Sequence, residues 1–258
     1  MTSDLQDVLK KIKLPWLAAN IDDFTARSTK SRLSPIQMIE QIAKSELQSM
    51  KQVNLAKRMM DARLGNFRSF DQFDWAWPKE LDRETVENLL SLSFIEENRN
   101  AIFVGPAGVG KTMLAKNIAH KALLAGKTAW FRSAAQILNE LQTKETFRSA
   151  NLGAQRYSKP DLLVIDELGY LSYETRAADL LFQLIQSRYE AKSIIVTMNV
   201  AFGEWNTVFP SAACVSAMID RLTHHATILS FSGESYRLKE SSEHQAKKTN
   251  KVKKNSKT

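Results

Sequence analysis

The sequence has little cysteine and no long apolar run. Its single cysteine, Cys214, excludes a disulfide within the chain and has no companions at the spacing of a metal site, so we interpret it as a packing residue. No apolar run reaches the roughly 18 residues that a membrane-spanning helix needs. The charged first residues, MTSDLQDVLKKIK, lack the apolar block of a secretion signal. We therefore expect a cytoplasmic protein with no membrane association.

Acidic residues are outnumbered by basic ones, with 28 Asp and Glu against 36 Lys and Arg, which gives a formal net charge of +8. Part of this excess lies in residues 240–258, where lysines are frequent and apolar residues are nearly absent. Such a composition cannot bury a core. It predicts a disordered tail whose attraction to polyanions depends on salt.

A glycine-rich turn separates an apolar run from a helical segment in AIFVGPAGVGKTMLAKNIAHKALLAG (101–126). The turn fits G-x-x-x-x-G-K-[ST] at every fixed position, between the strand and the helix that this motif requires. Backbone N–H groups of such a turn surround phosphate oxygens, the lysine adds charge near the outer phosphates, and the following hydroxyl binds Mg²⁺. We prefer this interpretation to an ordinary glycine turn. The predicted ATP-binding residues are Gly105, Pro106, Ala107, Gly108, Val109, Gly110, Lys111 and Thr112.

Beyond this turn, apolar runs alternate with helical segments, which predicts a buried parallel sheet with helices between its strands. The runs are TAWFRS (128–133), DLLVIDEL (161–168), SIIVTMN (193–199) and ATILSFS (226–232). One run delivers Asp166 and Glu167 to the carboxyl edge of the sheet, beside the phosphate turn. There we expect Asp166 to hold Mg²⁺ through water and Glu167 to orient or deprotonate the attacking water.

Two other classes of nucleotide-binding enzyme fit the sequence less well. Asp166 and Gly169 match the D-x-x-G element of GTPases, but the Asn-Lys-x-Asp element that reads guanine does not occur in the sequence. A small-molecule kinase needs a second compact lid over its substrate, for which the sequence gives no signal. The acidic pair at a strand end therefore favours an ATPase.

Further polar residues near the ends of predicted elements are candidates for the site. Asn199 ends a strand and is expected to hold the attacking water from the side opposite the acidic pair, with Thr197 as the second choice. Isolated arginines usually lie at the surface, but the positions of Arg221 and Arg237 make them candidates for stabilising negative charge. The pair His224–His225 has no companions at metal-ligand spacing, so we interpret it as structural.

The amino-terminal part of the chain contains a long predicted helix. Residues 34–37 match a capping box with proline at the first helical position, and Gly65 offers a stop. Apolar residues at steps of three and four predict a buried stripe, opposite a basic outer face. The apolar set is Ile39, Ala43, Leu47, Met50 and Val53, and the basic set is Lys44, Lys51, Lys57 and Arg58. The basic face is either simply solvated or contacts DNA or a partner.

Aromatic residues are concentrated between this helix and the phosphate turn, at Phe67, Phe70, Phe73, Trp75 and Trp77. Such clusters usually form core. Because this one leads directly into the phosphate-binding strand, closure over the base of the nucleotide is an equally good interpretation.

Distinctive stretches occur in both halves of the chain. The nucleotide-binding half contains GPAGVGKT, DLLVIDELGY, IIVTMN, FGEWNTVFP, DRLTHHA and GESYRLK, and the part before it contains LPWLAANIDDF, LSPIQMIEQIAKSEL and DARLGNFRSFDQFDW. Together they resemble the IstB family of AAA+ ATPases, the helper proteins of insertion-sequence transposition. The resemblance covers nearly everything except the lysine-rich tail. DnaC helicase loaders share the ATPase half but not the leading domain, so we prefer the transposition family.

For the fold, the resemblance implies an α/β protein with a P-loop AAA+ core, in which helices flank a parallel sheet, preceded by a small helical N-terminal domain. We expect no C-terminal helical lid, because only 25 residues follow Gly233 and most of them belong to the charged tail. The expected divisions are a helical domain at 1–66, an aromatic linker and helix packed on the core at 67–98, the ATPase domain at 99–239 and the tail at 240–258.

For function, the resemblance implies an ATPase that uses ATP and Mg²⁺ and binds double-stranded DNA as an ATP- and DNA-dependent homo-oligomer. Such a protein deforms target DNA and recruits and activates a cognate transposase. The alternative is a loader of a replicative helicase, whose leading domain would bind that helicase.

The resemblance also implies roles for individual residues. Arg221 falls on the arginine-finger position, Asn199 falls on sensor one, and Arg237 resembles sensor two. DNA contacts are expected in the insertion after the second strand of the core. The candidates there are Lys144, Arg148 and Arg156, which are otherwise ordinary solvated positions.

Overall fold

The computed structural model describes residues 3–75, 77, 81–143, 153–170, 173–209 and 213–240. The chain divides into two compact units, 1–60 and 61–258. The predicted tail beyond residue 240 and the DNA-contact candidates Lys144 and Arg148 lie outside the described residues. Of the helices that the structure describes, none has both the length and the apolar character needed to span a bilayer.

The first unit is helical. Its elements are α1 (Ser3–Lys11), α2 (Pro15–Lys30) and α3 (Pro35–Ala62), the last of which continues to the start of the second unit. Leu9 of α1 and Leu17 and Phe24 of α2 form a small buried core, against which Met38 and Ile42 of α3 pack. The unit is thus held together by apolar contacts among all three helices.

Helix α3 begins where the sequence predicts. Ser34 N donates to Gln37 Oε1 at 2.8 Å, and Gln37 N donates to Ser34 Oγ at 3.3 Å, which is the reciprocal pattern of a capping box. The helix ends at Ala62, and Arg63 adopts the left-handed backbone conformation with φ of 55°. The capped start is confirmed, and the end falls just before Gly65.

The predicted buried stripe of α3 is wrong. Its large members are at least half exposed: Ile39 67%, Leu47 53%, Met50 50% and Val53 64%. The side of α3 that packs within the unit carries Met38, Ile42 and Glu46. Glu46 Oε1 accepts the backbone N–H of Leu17, in the first turn of α2, at 2.7 Å. This hydrogen bond satisfies a backbone N–H in the first turn of α2 and helps to set the rotation of α3 about its axis. The spacing of apolar residues cannot predict it, because Glu46 is polar.

The second unit is built on a five-stranded sheet. Its strands are β1 (Asn100–Val104), β2 (Ala129–Ser133), β3 (Leu162–Leu168), β4 (Ser193–Met198) and β5 (Ala226–Ser230). They lie in the order β2-β3-β4-β1-β5, and every neighbouring pair is parallel. The predicted strands and the parallel sheet are confirmed. Because the strands are parallel, all their carboxyl ends meet at one edge, where ligands bind in open α/β sheets.

Helices of the second unit pack on this sheet and on each other. They include α4 (Arg83–Ser91), α5 (Ser93–Glu96), α6 (Lys111–Leu124), α7 (Ala134–Gln142), α8 (Thr175–Arg188), α9 (Trp205–Val208) and α10 (Val215–Thr223). Helices α6, α7 and α10 contact the strands, and α8 packs against α7 and α10. The core that results contains fully buried Ile102, Leu163, Ile165 and Val196 from the strands. After β5, residues 236–240 form a short helical segment.

Arg188 ends α8 as a fully buried cation. Its guanidinium donates to the carbonyls of Tyr157 and Ser193, both at 2.7 Å, and to the carbonyl of Asp161 at 3.4 Å. Burial lowers the pKa of Arg188 to about 9, against the opposing charge of Asp161. These hydrogen bonds connect the end of α8 and the start of β4 to the segment of the same chain that precedes β3.

Candidate functional site

The phosphate turn follows β1 and is packed closely against the segment after β5. Gly105 has φ of 150°, and a Cβ atom placed there would lie 2.1 Å from the carbonyl oxygen of Phe231. At Gly108, with φ of 81°, a Cβ atom would lie 2.1 Å from Ser235 Oγ. The two segments are also joined by a hydrogen bond from Tyr236 N to Gly108 O at 3.0 Å. Glycine is required at both positions by backbone conformation and by close approach.

Replacing Gly105 by alanine should destabilise the protein by about 3 kcal/mol, because backbone must move away from Phe231 and the new residue must adopt positive φ. For a chain of this size the melting temperature should fall by roughly 6–12 °C, measured by circular dichroism. Gly203→Ala is the matched control, since nothing lies within 4 Å of a Cβ atom there. Equal melting temperatures for the two variants would contradict the proposed packing.

Lys111 begins α6 and is only 8% exposed. Its Nζ donates to the carbonyls of Gly105 and Pro106 at 2.6 and 2.5 Å, so the ammonium group lies inside the turn. Burial lowers the pKa of Lys111, the negative charge of Asp166 opposes this, and the positive charge of Arg237 adds to it. Phosphate oxygens would supply the negative charge that this buried group lacks.

The acidic pair at the end of β3 is held by two threonines. Thr112 Oγ1 and Thr197 Oγ1 donate to Asp166 Oδ1 at 3.0 and 2.5 Å. Thr197 Oγ1 also accepts the backbone N–H of Glu167 at 3.0 Å. Thr197, from β4, therefore binds the carboxylate of Asp166 and the backbone of Glu167, and it also lines the cavity over the phosphate turn.

Glu167 occupies an irregular position in β3. The pairing with β4 shifts register between Ile165 and Leu168, and Glu167 has left-handed backbone with φ of 60°. Its side chain is exposed, whereas Asp166 is 5% exposed. The bulge thus separates the two carboxylates: one is buried beside Thr112, and the other faces the cavity described next.

A cavity of about 720 Å³ lies over the phosphate turn. Its lining combines the predicted polar residues with part of the aromatic segment, and it includes Phe73, Trp77, Lys111, Glu167, Asn199 and Arg237. Phe73 touches the turn itself, because a Cβ atom at Gly110 would lie 2.9 Å from its ring. Trp77 Nε1 donates to the carbonyl of Glu234 at 2.8 Å. This bond holds the indole ring of Trp77 against the segment that follows β5. The aromatic segment therefore lines the cavity as well as packing on the core.

Arg221 and Arg156 do not line this cavity. Arg221, in the last turn of α10, donates to the side chain of Gln186 and, at 3.0 Å, to the carbonyl of Ala217. Its guanidinium also lies 5.1 Å from the ring centroid of Phe182. Arg156 pairs with Glu140 at 3.5 Å. Of the predicted site residues that the structure describes, these two stand apart from the nucleotide turn.

A parallel sheet in this strand order, with a glycine-rich turn after β1 and an acidic pair at the end of β3, defines a P-loop ATP-binding protein of the AAA+ class. Residues 7–244 match the family of IstB-like ATP binding proteins. The chain belongs to that family.

Curated relatives match along nearly the whole chain. The ATP-binding protein of insertion sequence IS21 from Pseudomonas aeruginosa is 33% identical over 237 residues, which are 92% of this chain and 89% of the relative. The ATP-binding protein of insertion sequence IS5376 from Geobacillus stearothermophilus is 31% identical over 240 residues, 93% of this chain and 96% of the relative.

Among solved structures, AMPPCP-bound DnaA from Aquifex aeolicus superposes with a TM-score of 0.55 at 20% identity. The match covers 69% of this chain and 54% of that one, so the chain spans about half the length of the DnaA structure. At this identity the likeness shows the fold alone, and it agrees with the parallel sheet and P-loop described above.

Proposed function

We propose that this protein is an ATPase that serves transposition: it assembles on double-stranded DNA in the presence of ATP, deforms the DNA and recruits a cognate transposase. The observation that carries the proposal is the length of the match to the IS21 relative, 92% of this chain. That match includes the helical first unit as well as the ATP-binding core. Proteins of this description belong to insertion sequences, whose movement requires DNA as the substrate.

The proposed chemistry divides the cavity residues between binding and hydrolysis. Lys111 and the N–H groups of the turn bind the phosphates of ATP, and Glu167 accepts the proton of the attacking water. Asn199 lines the same cavity and positions that water. Arg237 stabilises negative charge on the phosphates from within the same chain. Phe73 and Trp77 line the same cavity, and their rings are proposed to contact the base.

Thr112 and Asp166 fit a magnesium ion by their chemistry. One offers a hydroxyl oxygen and the other a buried carboxylate, and their oxygens lie 3.0 Å apart at the end of the phosphate turn. Hard oxygen ligands of this kind suit Mg²⁺. When bound, the ion would neutralise charge on the outer phosphates.

Arg221 is proposed to act on ATP held by a neighbouring subunit. It lies away from the cavity of its own chain, on a helix that leads to the opposite end of β5 from the phosphate turn. A guanidinium stabilised by neutral partners such as Gln186 and Phe182 remains able to pair with phosphate. Assembly into a homo-oligomer is therefore part of the proposed mechanism.

DNA binding is proposed from charge as well as from the family. The net charge is +8. Arg156 makes a surface ion pair with Glu140, with 64% of its side chain exposed, and its guanidinium lies 5.8 Å from the ring centroid of Trp130. Such pairs contribute little stability, about 0–1 kcal/mol, so a DNA phosphate can replace Glu140 as its partner. Lys144 and Arg148 are proposed to act in the same way.

Duplex DNA should bind more tightly with ATP than without it, and its affinity should fall at least about tenfold between 50 and 200 mM salt, because neutralised phosphates release counterions. Fluorescence anisotropy of a labelled duplex measures both effects. Single-stranded DNA of the same length should bind more weakly.

Arg156→Ala should make the salt dependence shallower: the magnitude of the slope of log affinity against log salt should fall by about one for each lost phosphate contact. Arg176→Ala removes an exposed arginine from the start of α8 and is the matched control. Preference for single strands, with no effect of ATP on duplex binding, would instead favour a helicase loader.

A further inference from the structure

Three metal-ligand side chains meet on the surface of the second unit, outside the nucleotide cavity. Glu190, His224 and His225 each offer one ligand atom, and these atoms all lie within 4.8 Å of one another. His224 Nδ1 is 3.8 Å from Glu190 Oε1, and the ring centroids of the two histidines are 3.8 Å apart. The interpretation of the histidine pair as structural rested on the lack of a ligand companion. The fold supplies one from the turn before β4.

The cluster is held by anchored parts of the fold. Glu190 lies two residues after Arg188, whose guanidinium binds three carbonyls around that turn. His224 follows α10 directly, and the hydroxyl of Tyr189 lies 2.8 Å from its Nδ1. His225 precedes β5, and its carbonyl accepts a hydrogen bond from Arg99 Nε at 3.2 Å. These contacts fix the backbone around the three residues, so an ion has to order only their exposed side chains when it binds.

The charges around the three side chains are compatible with a bound cation. Glu190 is exposed and brings a negative charge, while neutral imidazoles bring lone pairs. Two guanidinium groups lie nearby, and each has its own partner: Arg99 pairs with Glu97 at 3.3 Å, and Arg221 donates to the side chain of Gln186. Neither of these arginines needs Glu190 as its counter-ion.

We propose that Glu190, His224 and His225 form a binding site for a divalent transition-metal ion of the zinc class. Two imidazole nitrogens and one carboxylate oxygen are a ligand set that Zn²⁺ takes in proteins, at about 2.0–2.2 Å from each atom. Ligand atoms around one such ion are roughly 3–4 Å apart, so small rotations of exposed side chains bring the three atoms onto it. A fourth position stays open to water or to an external ligand. Mg²⁺ prefers oxygen ligands and does not fit this set.

Zinc titrated calorimetrically into the full chain tests the site. The protein is first freed of metal with a chelator and is kept in millimolar Mg²⁺ without nucleotide. The unmodified chain should bind one Zn²⁺. Glu190→Gln and His224→Ala should each weaken binding at least about tenfold, since even outer-sphere changes cost that much. The double variant His224→Ala/His225→Asn should lose the site, and asparagine is chosen because residue 225 has positive φ.

Matched controls use the other residues of the same types. The chain has four histidines, so His120→Gln and His244→Gln should keep full affinity, as should Cys214→Ser. Co²⁺ in place of Zn²⁺ should give a visible absorption band that only the cluster variants lose. Circular dichroism verifies that each variant is folded. Zinc binding that persists in the double histidine variant, or its absence from the unmodified chain, overturns the proposal.

Discussion

Glu167→Gln should leave the affinity for ATP within about twofold of the unmodified protein and lower the hydrolysis rate by at least about a hundredfold. The amide keeps the size of the side chain and the bond from the backbone N–H of residue 167 to Thr197, but it cannot accept a proton from water. A fluorescent ATP analogue measures the binding, and release of phosphate in the presence of DNA measures the turnover.

Two control variants separate catalysis from binding. Lys111→Ala removes the buried ammonium group from the phosphate turn and should abolish nucleotide binding. Glu84→Gln makes the same chemical change as Glu167→Gln at an exposed position of α4 and should alter neither property. If Glu167→Gln and Lys111→Ala lost affinity to the same extent, the proposed division of roles would be wrong.

Arg221→Ala should bind ATP normally and hydrolyse it about a thousandfold more slowly, because a finger arginine contributes on that order in P-loop enzymes. Its partners in the same chain, Gln186 and Ala217, are neutral, so its removal leaves no unpaired charge. Arg176→Ala, which removes an exposed arginine from α8, should retain activity. Phosphate release with saturating ATP and DNA measures the difference.

Mixing two inactive variants tests whether the arginine acts between subunits. Arg221→Ala keeps a complete phosphate turn, and Lys111→Ala keeps the arginine. Sites that combine the two contributions should therefore recover part of the ATPase activity on DNA. A mixture that co-assembles, as shown by crosslinking, but stays as inactive as its components rules out action in trans.

Much of the sheet and the phosphate turn could be predicted from the sequence because each depends on a local pattern. Strands such as β1 and β3 are continuous apolar runs between turn signals, and the turn before Lys111 has glycine where a side chain would collide with Phe231 or Ser235. The capped start of α3 is equally local. It needs only Ser34 and Gln37.

The remaining features depend on contacts between distant parts of the chain. The packed side of α3 involves a hydrogen bond from Leu17 N to Glu46, which apolar spacing does not reveal. Thr197 reaches Asp166 only because β4 pairs with β3. Glu190 joins the histidine pair only because α8 and α10 pack side by side. For the contact between Thr197 and Asp166, the sequence offered one signal, which is a threonine near the end of a predicted strand.

The contacts of Gly105 with Phe231 and of Gly108 with Ser235 bear on how the protein is made. During synthesis the phosphate turn leaves the ribosome more than a hundred residues before the segment that packs against it, an interval on the order of ten seconds. Until β5 has emerged and paired with β1, the turn has neither its backing carbonyl nor the hydrogen bond from Tyr236. A nascent chain, or one that ends before β5, therefore carries the whole motif without the packing that shapes the phosphate turn. We expect ATP binding only from chains that extend through Tyr236.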